Sequence, residues 1–199
     1  FSAFQRKEVY GTSGPRIRLR FFGGWDFSSK DTGRKDMAAV GYDRGVPMGG
    51  DLTKAPTGKA PSFLIHAVKD PLDGNLDRVQ VIKGWVDASG TSQERIYNVA
   101  WSGERTLAAN GDLGPVGNTV DVDKGIYTND IGASQLVASW EDPDFDPEAR
   151  AFYYVRVLQI PTPRSSLYDT LALREDASKS GQPAFIQERA YSSPIWYTP

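Results

Sequence analysis

The run Arg150–Ile160 constrains the fold more than any other stretch of the sequence. In an extended backbone its residues alternate, with Tyr153, Val155 and Val157 on one face and Phe152, Tyr154, Leu158 and Ile160 on the other. A strand rich in aromatic and β-branched residues on both faces is typical of the middle of a sheet. Arg156 interrupts the second face, so we expect that face to meet water or a partner in part. The run predicts a central strand over Ala151–Ile160.

Short apolar or alternating runs recur along the chain between turns, and the chain contains 20 glycines and 13 prolines. Glycines and prolines at such short intervals favour short strands joined by turns over long helices. Further strands are predicted at Arg16–Phe22, Ala60–Val68, Asp77–Val86, Gln93–Trp101, Thr119–Val122, Gly125–Tyr127, Gln135–Trp140, Phe185–Ala190 and Ile195–Thr198. One short helix is predicted over Arg164–Leu173. These elements predict an all-β fold, an immunoglobulin-like β-sandwich of short antiparallel strands with long loops and one short helix.

Two segments are predicted to be irregular. Residues 28–59 are rich in Gly, Lys, Asp and Pro and contain only short apolar islands. We expect them to form a long excursion with one or two short strands, and loops of this length are often functional. Residues 174–183 are expected to form a polar loop.

The first residues have the pattern of a helix end. Phe1 and Phe4 lie at helical spacing, and the basic residues Arg6 and Lys7 that follow suit a helix C-terminus. We therefore expect residues 1–10 to be the end of a helix from an upstream domain. Residues 11–199 are expected to form the β-sandwich domain.

Composition narrows the classes of partner. The chain of 199 residues has 23 Lys and Arg against 25 Asp and Glu, so its net charge of -2 gives no electrostatic reason to expect a nucleic acid. No apolar run approaches the roughly 18 residues of a membrane span. The chain has no cysteine, which excludes disulfides, thiolate nucleophiles and cysteine-based metal sites and is compatible with the bacterial periplasm.

Metal ligands are scarce in the sequence. His66 is the one histidine, whereas catalytic zinc and two-metal sites usually draw on several, so we expect a structural histidine and no cofactor in this chain. Asp142, Asp144 and Asp146 alternate on a loop, a pattern that can surround Ca²⁺. The glycine of an EF-hand loop is missing, and Asp side chains also cap turns, so we expect turn capping with calcium as the alternative.

Two further patterns have both a structural and a functional interpretation. Arg16, Arg18 and Arg20 share the outer face of one predicted strand. They form either a solvated or ion-paired face, which is the usual case, or a face that contacts an anionic ligand or a neighbouring domain. Five tryptophans and nine tyrosines could provide a carbohydrate platform, although such residues more often fill a sandwich core.

Long segments of the chain resemble a bacterial family described as a domain of unknown function. They are Lys7–Asp26, Gly45–Leu52, Asn75–Asp87, Asp142–Pro147, Tyr153–Arg164 and Gln187–Pro199. Fuller members resemble metal-dependent hydrolases of the polymerase-and-histidinol-phosphatase (PHP) type. The resemblance implies an upstream barrel with a histidine-rich site for a divalent metal, followed by a C-terminal β-sandwich. This chain is similar to the sandwich and to the last helix of the barrel.

The resemblance also implies a function. This chain would be the non-catalytic sandwich of a hydrolase that is periplasmic or otherwise exported. It would stabilise the barrel and shape access to the active site. Residues expected near that access are Arg16, Met48, Asp51 and Arg164. Arg16 or Arg164 would hold an anionic substrate, since the guanidinium matches carboxylate and phosphate. The alternatives are a stand-alone carbohydrate- or protein-binding module and a calcium-stabilised structural domain. The oligomeric state is left open.

Overall fold

The computed structural model describes residues 1–175 and 181–199, which form mostly short strands. The strands are β1 (Tyr10–Thr12), β2 (Arg18–Gly24), β3 (Gly45–Pro47), β4 (Asp51–Thr53), β5 (Ser62–Val68), β6 (Leu76–Val86), β7 (Ser92–Trp101), β8 (Gln135–Glu141), β9 (Ala151–Gln159), β10 (Thr162–Pro163), β11 (Phe185–Ile186), β12 (Arg189–Ser192) and β13 (Ile195–Thr198). The helices are α1 (Ser2–Gln5), α2 (Ser29–Thr32), α3 (Met37–Arg44) and α4 (Ser165–Leu173).

The larger sheet, sheet A, is built around β9. One edge of β9 pairs with β6 along almost its whole length, and β7 lies outside β6. The other edge of β9 is divided between β12 and β13. Outside these two strands lie β1, which pairs with β12, and β4, which pairs with β13 in parallel orientation. The predicted central strand is therefore confirmed.

The smaller sheet, sheet B, has the order β3-β2-β5-β8 and is antiparallel. Its inner face packs on sheet A through one shared hydrophobic core. Phe63 of sheet B, for example, is fully buried and lies with its ring centroid 4.7 Å from that of Tyr153 in sheet A. The prediction of an all-β sandwich is confirmed, since sheet A and sheet B bury their facing side chains against each other.

The segment 28–59 differs from its prediction, because it contains α2 and α3 in addition to the short strands β3 and β4. Both helices pack on the outer face of sheet B, where a second core cluster forms from Phe22, Phe27, Met37, Val40 and Leu64. Gly41 of α3 sits directly on the Phe22 ring, and a Cβ there would lie 2.5 Å from ring atoms. The composition of the segment conceals these helices because packing, more than propensity, stabilises such short ones.

Smaller differences concern element boundaries. In place of the two strands predicted over 119–127 there is a single bridge between Asp121 and Ile126. The strand predicted over Phe185–Ala190 is divided into β11 and the start of β12. The predicted helix over Arg164–Leu173 corresponds to α4, and α1 lies where the sequence predicts a helix end, whereas α2 and α3 are not predicted. The predicted loop 174–183 falls partly on residues 176–180, which lie outside the described residues.

Candidate functional site

The helices α2 and α3 cover only half of the outer face of sheet B. The other half carries the side chains of Arg18 and Arg20 from β2 and of His66 from β5. A cavity of about 430 Å³ opens over these residues. Its walls include Glu8, Tyr10, Tyr42 and Met48. We call it the basic cavity, defined by Arg18, Arg20 and His66.

Strand register brings the three basic-cavity residues together. Arg18 and Arg20 are two positions apart on one strand, so they point to the same face. His66 lies directly opposite Arg20 in the antiparallel pair β2–β5. The His66 Nε2 atom is 3.3 Å from Oε1 of Gln135 on β8, which orients the imidazole. The floor of the cavity is therefore formed by the hydrogen-bonded pair β2–β5, with β8 supporting it through Gln135.

The carboxylate on the rim of the basic cavity already has partners. Glu8 accepts a hydrogen bond from the Tyr42 hydroxyl and two from the guanidinium of Arg6, at 3.2 and 3.0 Å. The hydrogen bond to Glu8, followed by burial, raises the pKa of Tyr42, so the phenol stays protonated and donates. Among the residues that the structure describes, none forms an ion pair with Arg18 or Arg20.

The structure brings two of the predicted access residues close to this cavity. Met48 lines it, and its N–H donates to the Phe21 carbonyl at 2.8 Å. Arg16 lines an adjoining cavity of about 700 Å³, and its N–H donates to Oδ2 of Asp70 at 2.7 Å. Asp51 on β4 and Arg164 at the start of α4 line neither cavity. Their role in substrate access stays a prediction.

Sequence reasoning found the arginine alternation and missed the rest of the cavity. The alternation predicts that Arg18 and Arg20 share one face, whereas the sequence predicts a structural role for His66 and gives no signal for Tyr42. His66 is half-buried on the outer face. Only the register of β2 against β5 places it opposite Arg20, and register between distant segments was the signal that the sequence did not provide.

The three aspartates of the acidic loop each have partners within the protein, and calcium binding there stays a prediction. Asp142 is buried and lies 2.6 Å from the Lys83 ammonium. Asp144 binds the Arg95 guanidinium and the Tyr97 hydroxyl, at 2.7 and 2.8 Å. Asp146 accepts the Glu148 N–H at 2.9 Å, which is turn capping. Within 1–175 and 181–199, no group of three or more His, Cys, Asp or Glu could hold a metal ion.

The outer face of sheet A carries a second feature, an aromatic strip formed by Phe152, Tyr154, Tyr191 and Trp196. Phe152 lies 5.2 Å from Trp196 and 6.4 Å from Tyr154 between ring centroids, and the Phe152 and Tyr154 rings are nearly parallel. Trp196 is 44% exposed. A hollow of about 560 Å³ beside the strip is lined by Phe152, Trp196, Gln93, Glu94 and Arg150, among others.

No helix in the described ranges is both long and apolar enough to cross a membrane, and export stays a prediction.

Comparison with known proteins places the chain in a family. No curated protein and no solved structure gives a significant match. A family model described as a protein of unknown function, DUF3604, matches residues 1–199. The family of unknown function expected from the sequence is thereby confirmed, and the chain belongs to the DUF3604 family.

Proposed function

We propose that the chain is a non-catalytic β-sandwich of a metal-dependent hydrolase of the PHP type. In this proposal it stabilises an upstream barrel domain and shapes access to that domain's active site. The divalent metal would be held by the barrel, and this chain would supply none of its ligands. The proposal rests on the resemblance described above and on one structural observation, the surface that α1 presents.

Helix α1 exposes two large apolar side chains. Phe1 is 95% exposed and Phe4 is 74% exposed, and no residue of α1 is buried. The chain continues from α1 directly to the basic cavity, because Lys7 contacts Gly49 and Glu8 lines the rim. A second domain that buried both rings would gain about 1.5–3 kcal/mol from each. That domain would then lie beside the basic cavity, as the access role requires.

The decisive experiment is carried out on the full-length protein. We expect Phe1→Ser combined with Phe4→Ser to lower the melting temperature of the hydrolase domain, because the interdomain contact is lost. Calorimetry would show the single transition separating into two. Leu173→Ser is the matched control, since Leu173 is a 68% exposed apolar residue on α4. Equal melting of the double variant and the control would contradict the proposal.

Elemental analysis of this chain provides an independent test. After dialysis we expect no stoichiometric zinc, manganese or iron. A stoichiometric amount of any of these metals would contradict the accessory role, because the site would then be in this chain. Stoichiometric calcium would instead favour a calcium-stabilised structural domain.

The aromatic strip favours a second candidate function, binding of a carbohydrate. Aromatic rings stack on the apolar faces of sugars, and Glu94 and Arg150 beside Trp196 could hydrogen-bond the hydroxyls. Phe152 also has a structural role, since its ring lies over Gly84 of the neighbouring strand. Affinity electrophoresis in polysaccharide gels tests this function. Retardation that is lost in Trp196→Ala but kept in Leu72→Ala, a change at an exposed residue outside the hollow, would support it, and unretarded migration in every gel would contradict it.

A further inference from the structure

We propose that the basic cavity binds the oxyanion group, a carboxylate, phosphate or sulfate, of a small molecule. The first argument is position. Its floor is formed by β2 and β5, which pair with each other along their whole length, and β5 is held on its other edge by β8. The opposite half of the same face is fixed by the second core cluster beneath α3. A ligand would therefore meet side chains whose backbone positions are set before it arrives, which lowers the entropic cost of binding.

The second argument is the convergence of donors. Residues directly opposite in an antiparallel pair have Cβ atoms about 4.5–5.5 Å apart, and diagonal neighbours about 7–8 Å apart. Arg20 and His66 form such a direct pair, and Arg18 lies on the diagonal of His66. Arginine presents planar N–H donors that match two oxygens of an oxyanion at once. One oxyanion is therefore within reach of both guanidinium groups of β2 and lies next to the His66 imidazole of β5.

The third argument is charge. Arg18 and Arg20 are adjacent on the same face and form no ion pair with a described residue. Glu8, the carboxylate on the rim, is held by Arg6 and Tyr42 instead. Two neighbouring positive charges inside a concave surface repel each other, and a bound anion would relieve that repulsion.

The size and walls of the basic cavity indicate the kind of ligand. A volume of about 430 Å³ falls in the range of about 300–1,000 Å³ that is usual for small-molecule sites. Tyr10, Tyr42 and Met48 add aromatic and apolar wall surface next to the arginines. The cavity thus suits a small molecule with one anionic group and a partly apolar body. A polyanion would require a longer basic track, and the chain has a net charge of -2.

The single histidine makes the site directly observable by NMR. Because the chain contains only His66, one set of imidazole resonances reports on the cavity. Inorganic phosphate, sulfate and acetate are titrated separately, at constant pH and at an ionic strength held constant with chloride. We expect at least one of these anions to shift the His66 resonances in a saturable way. Saturation by phosphate or sulfate alone would identify a tetrahedral oxyanion, and saturation by acetate alone a carboxylate.

Variants decide whether the shift comes from this site. We expect Arg18→Gln and Arg20→Gln each to raise the Kd of the bound anion roughly tenfold or more, the loss of one charged hydrogen-bonding group. Both side chains are exposed, so the variants should melt like the parent chain. Arg20→Lys keeps the positive charge but cannot form a bidentate hydrogen bond, so we expect its Kd to lie between those of the parent chain and Arg20→Gln. Arg150→Gln, an exposed arginine at the hollow on sheet A, is the matched control.

The proposal is overturned by either of two results. One is the absence of a saturable His66 shift with all three anions. The other is an equal Kd in Arg18→Gln, Arg20→Gln and Arg150→Gln, which would mean that the anions act on the whole chain as salt. The test uses this chain alone and does not depend on the accessory role. Failure of one proposal therefore leaves the other standing.

Discussion

Lys83 and Asp142 form an ion pair in the interior, between sheet A and the end of a strand of sheet B. The Lys83 ammonium lies 2.6 Å from Asp142 Oδ2 and donates to the Asp144 carbonyl at 2.7 Å. Asp142 also accepts hydrogen bonds from the Tyr153 hydroxyl at 2.7 Å and from the Asp144 N–H at 2.9 Å. Burial, and after it the Asp142 carboxylate, raises the pKa of Tyr153 far above its ordinary value, so the phenol remains a donor.

We predict that Asp142→Asn lowers the free energy of unfolding by about 3–5 kcal/mol, because it leaves the buried Lys83 charge without a counter-ion. Urea denaturation at neutral pH measures the change. Asp43→Asn, at an exposed position on α3, is the control, and we expect it to change stability by less than about 0.5 kcal/mol. A loss in Asp142→Asn no larger than that of the control would show that the ion pair is not required.

At the scale of elements, the Asp31 carboxylate connects the two helices that cover sheet B. It accepts the Ser28 N–H at 2.9 Å at the start of α2, and it lies 2.7 Å from the guanidinium of Arg44 at the end of α3. Burial by itself would raise the pKa of Asp31, but the Ser28 N–H and Arg44 together hold it below the ordinary value of 3.8. The ionised form is therefore favoured by folding.

A pH dependence follows from this carboxylate. Because the folded-state pKa of Asp31 lies below the unfolded value, its contribution to stability is complete above about pH 3.8 and is lost as the pH falls through the folded pKa. We expect Asp31→Asn to lose roughly 1–3 kcal/mol at pH 7. That difference from the parent should shrink on acidification below pH 3.8. Urea unfolding of both chains across pH 7 to 3 measures it, and a constant difference would contradict the linkage.

The elements that can be predicted from the sequence are those with a local residue pattern. The strand β9 was predicted almost to the residue, because apolar side chains on both faces leave few alternatives. The helix α3 was missed, since Met37 and Val40 pack on Phe22 and Leu64, which are distant in sequence. The same applies to the candidate site. The arginines of β2 show their alternation locally, whereas His66 joins them only through strand pairing.

At the scale of the molecule, one core joins both sheets, and Phe63 lies in its centre. Its ring contacts Phe21 and Trp140 within sheet B and Tyr153 across the interface, with centroid distances of 5.5, 5.7 and 4.7 Å. Phe63 is fully buried. The aromatic cluster is thus shared by the two sheets, and neither sheet can keep its packing if the other opens.

We predict that Phe63→Ala lowers the free energy of unfolding by about 3–5 kcal/mol through the cavity that it creates. Far-ultraviolet and near-ultraviolet circular dichroism should lose their signals at the same urea concentration, since both sheets depend on the cluster. Phe185→Ala is the control, because Phe185 is 43% exposed. Separate midpoints for the two signals would show that the aromatic packing is lost without the strands, which would contradict a core on which both sheets depend.

The strand order of sheet A has a consequence for synthesis on the ribosome. The early strands β1 and β4 reach β9 only through β12 and β13, which follow the other described strands of sheet A in the sequence. Hairpins of neighbouring segments, such as β6–β7, can form while translation continues, but β1 and β4 must wait with unpaired edges. Sheet A can therefore be completed only after β13 has been synthesised, and until then the free edges of β1 and β4 are open to pairing with other chains.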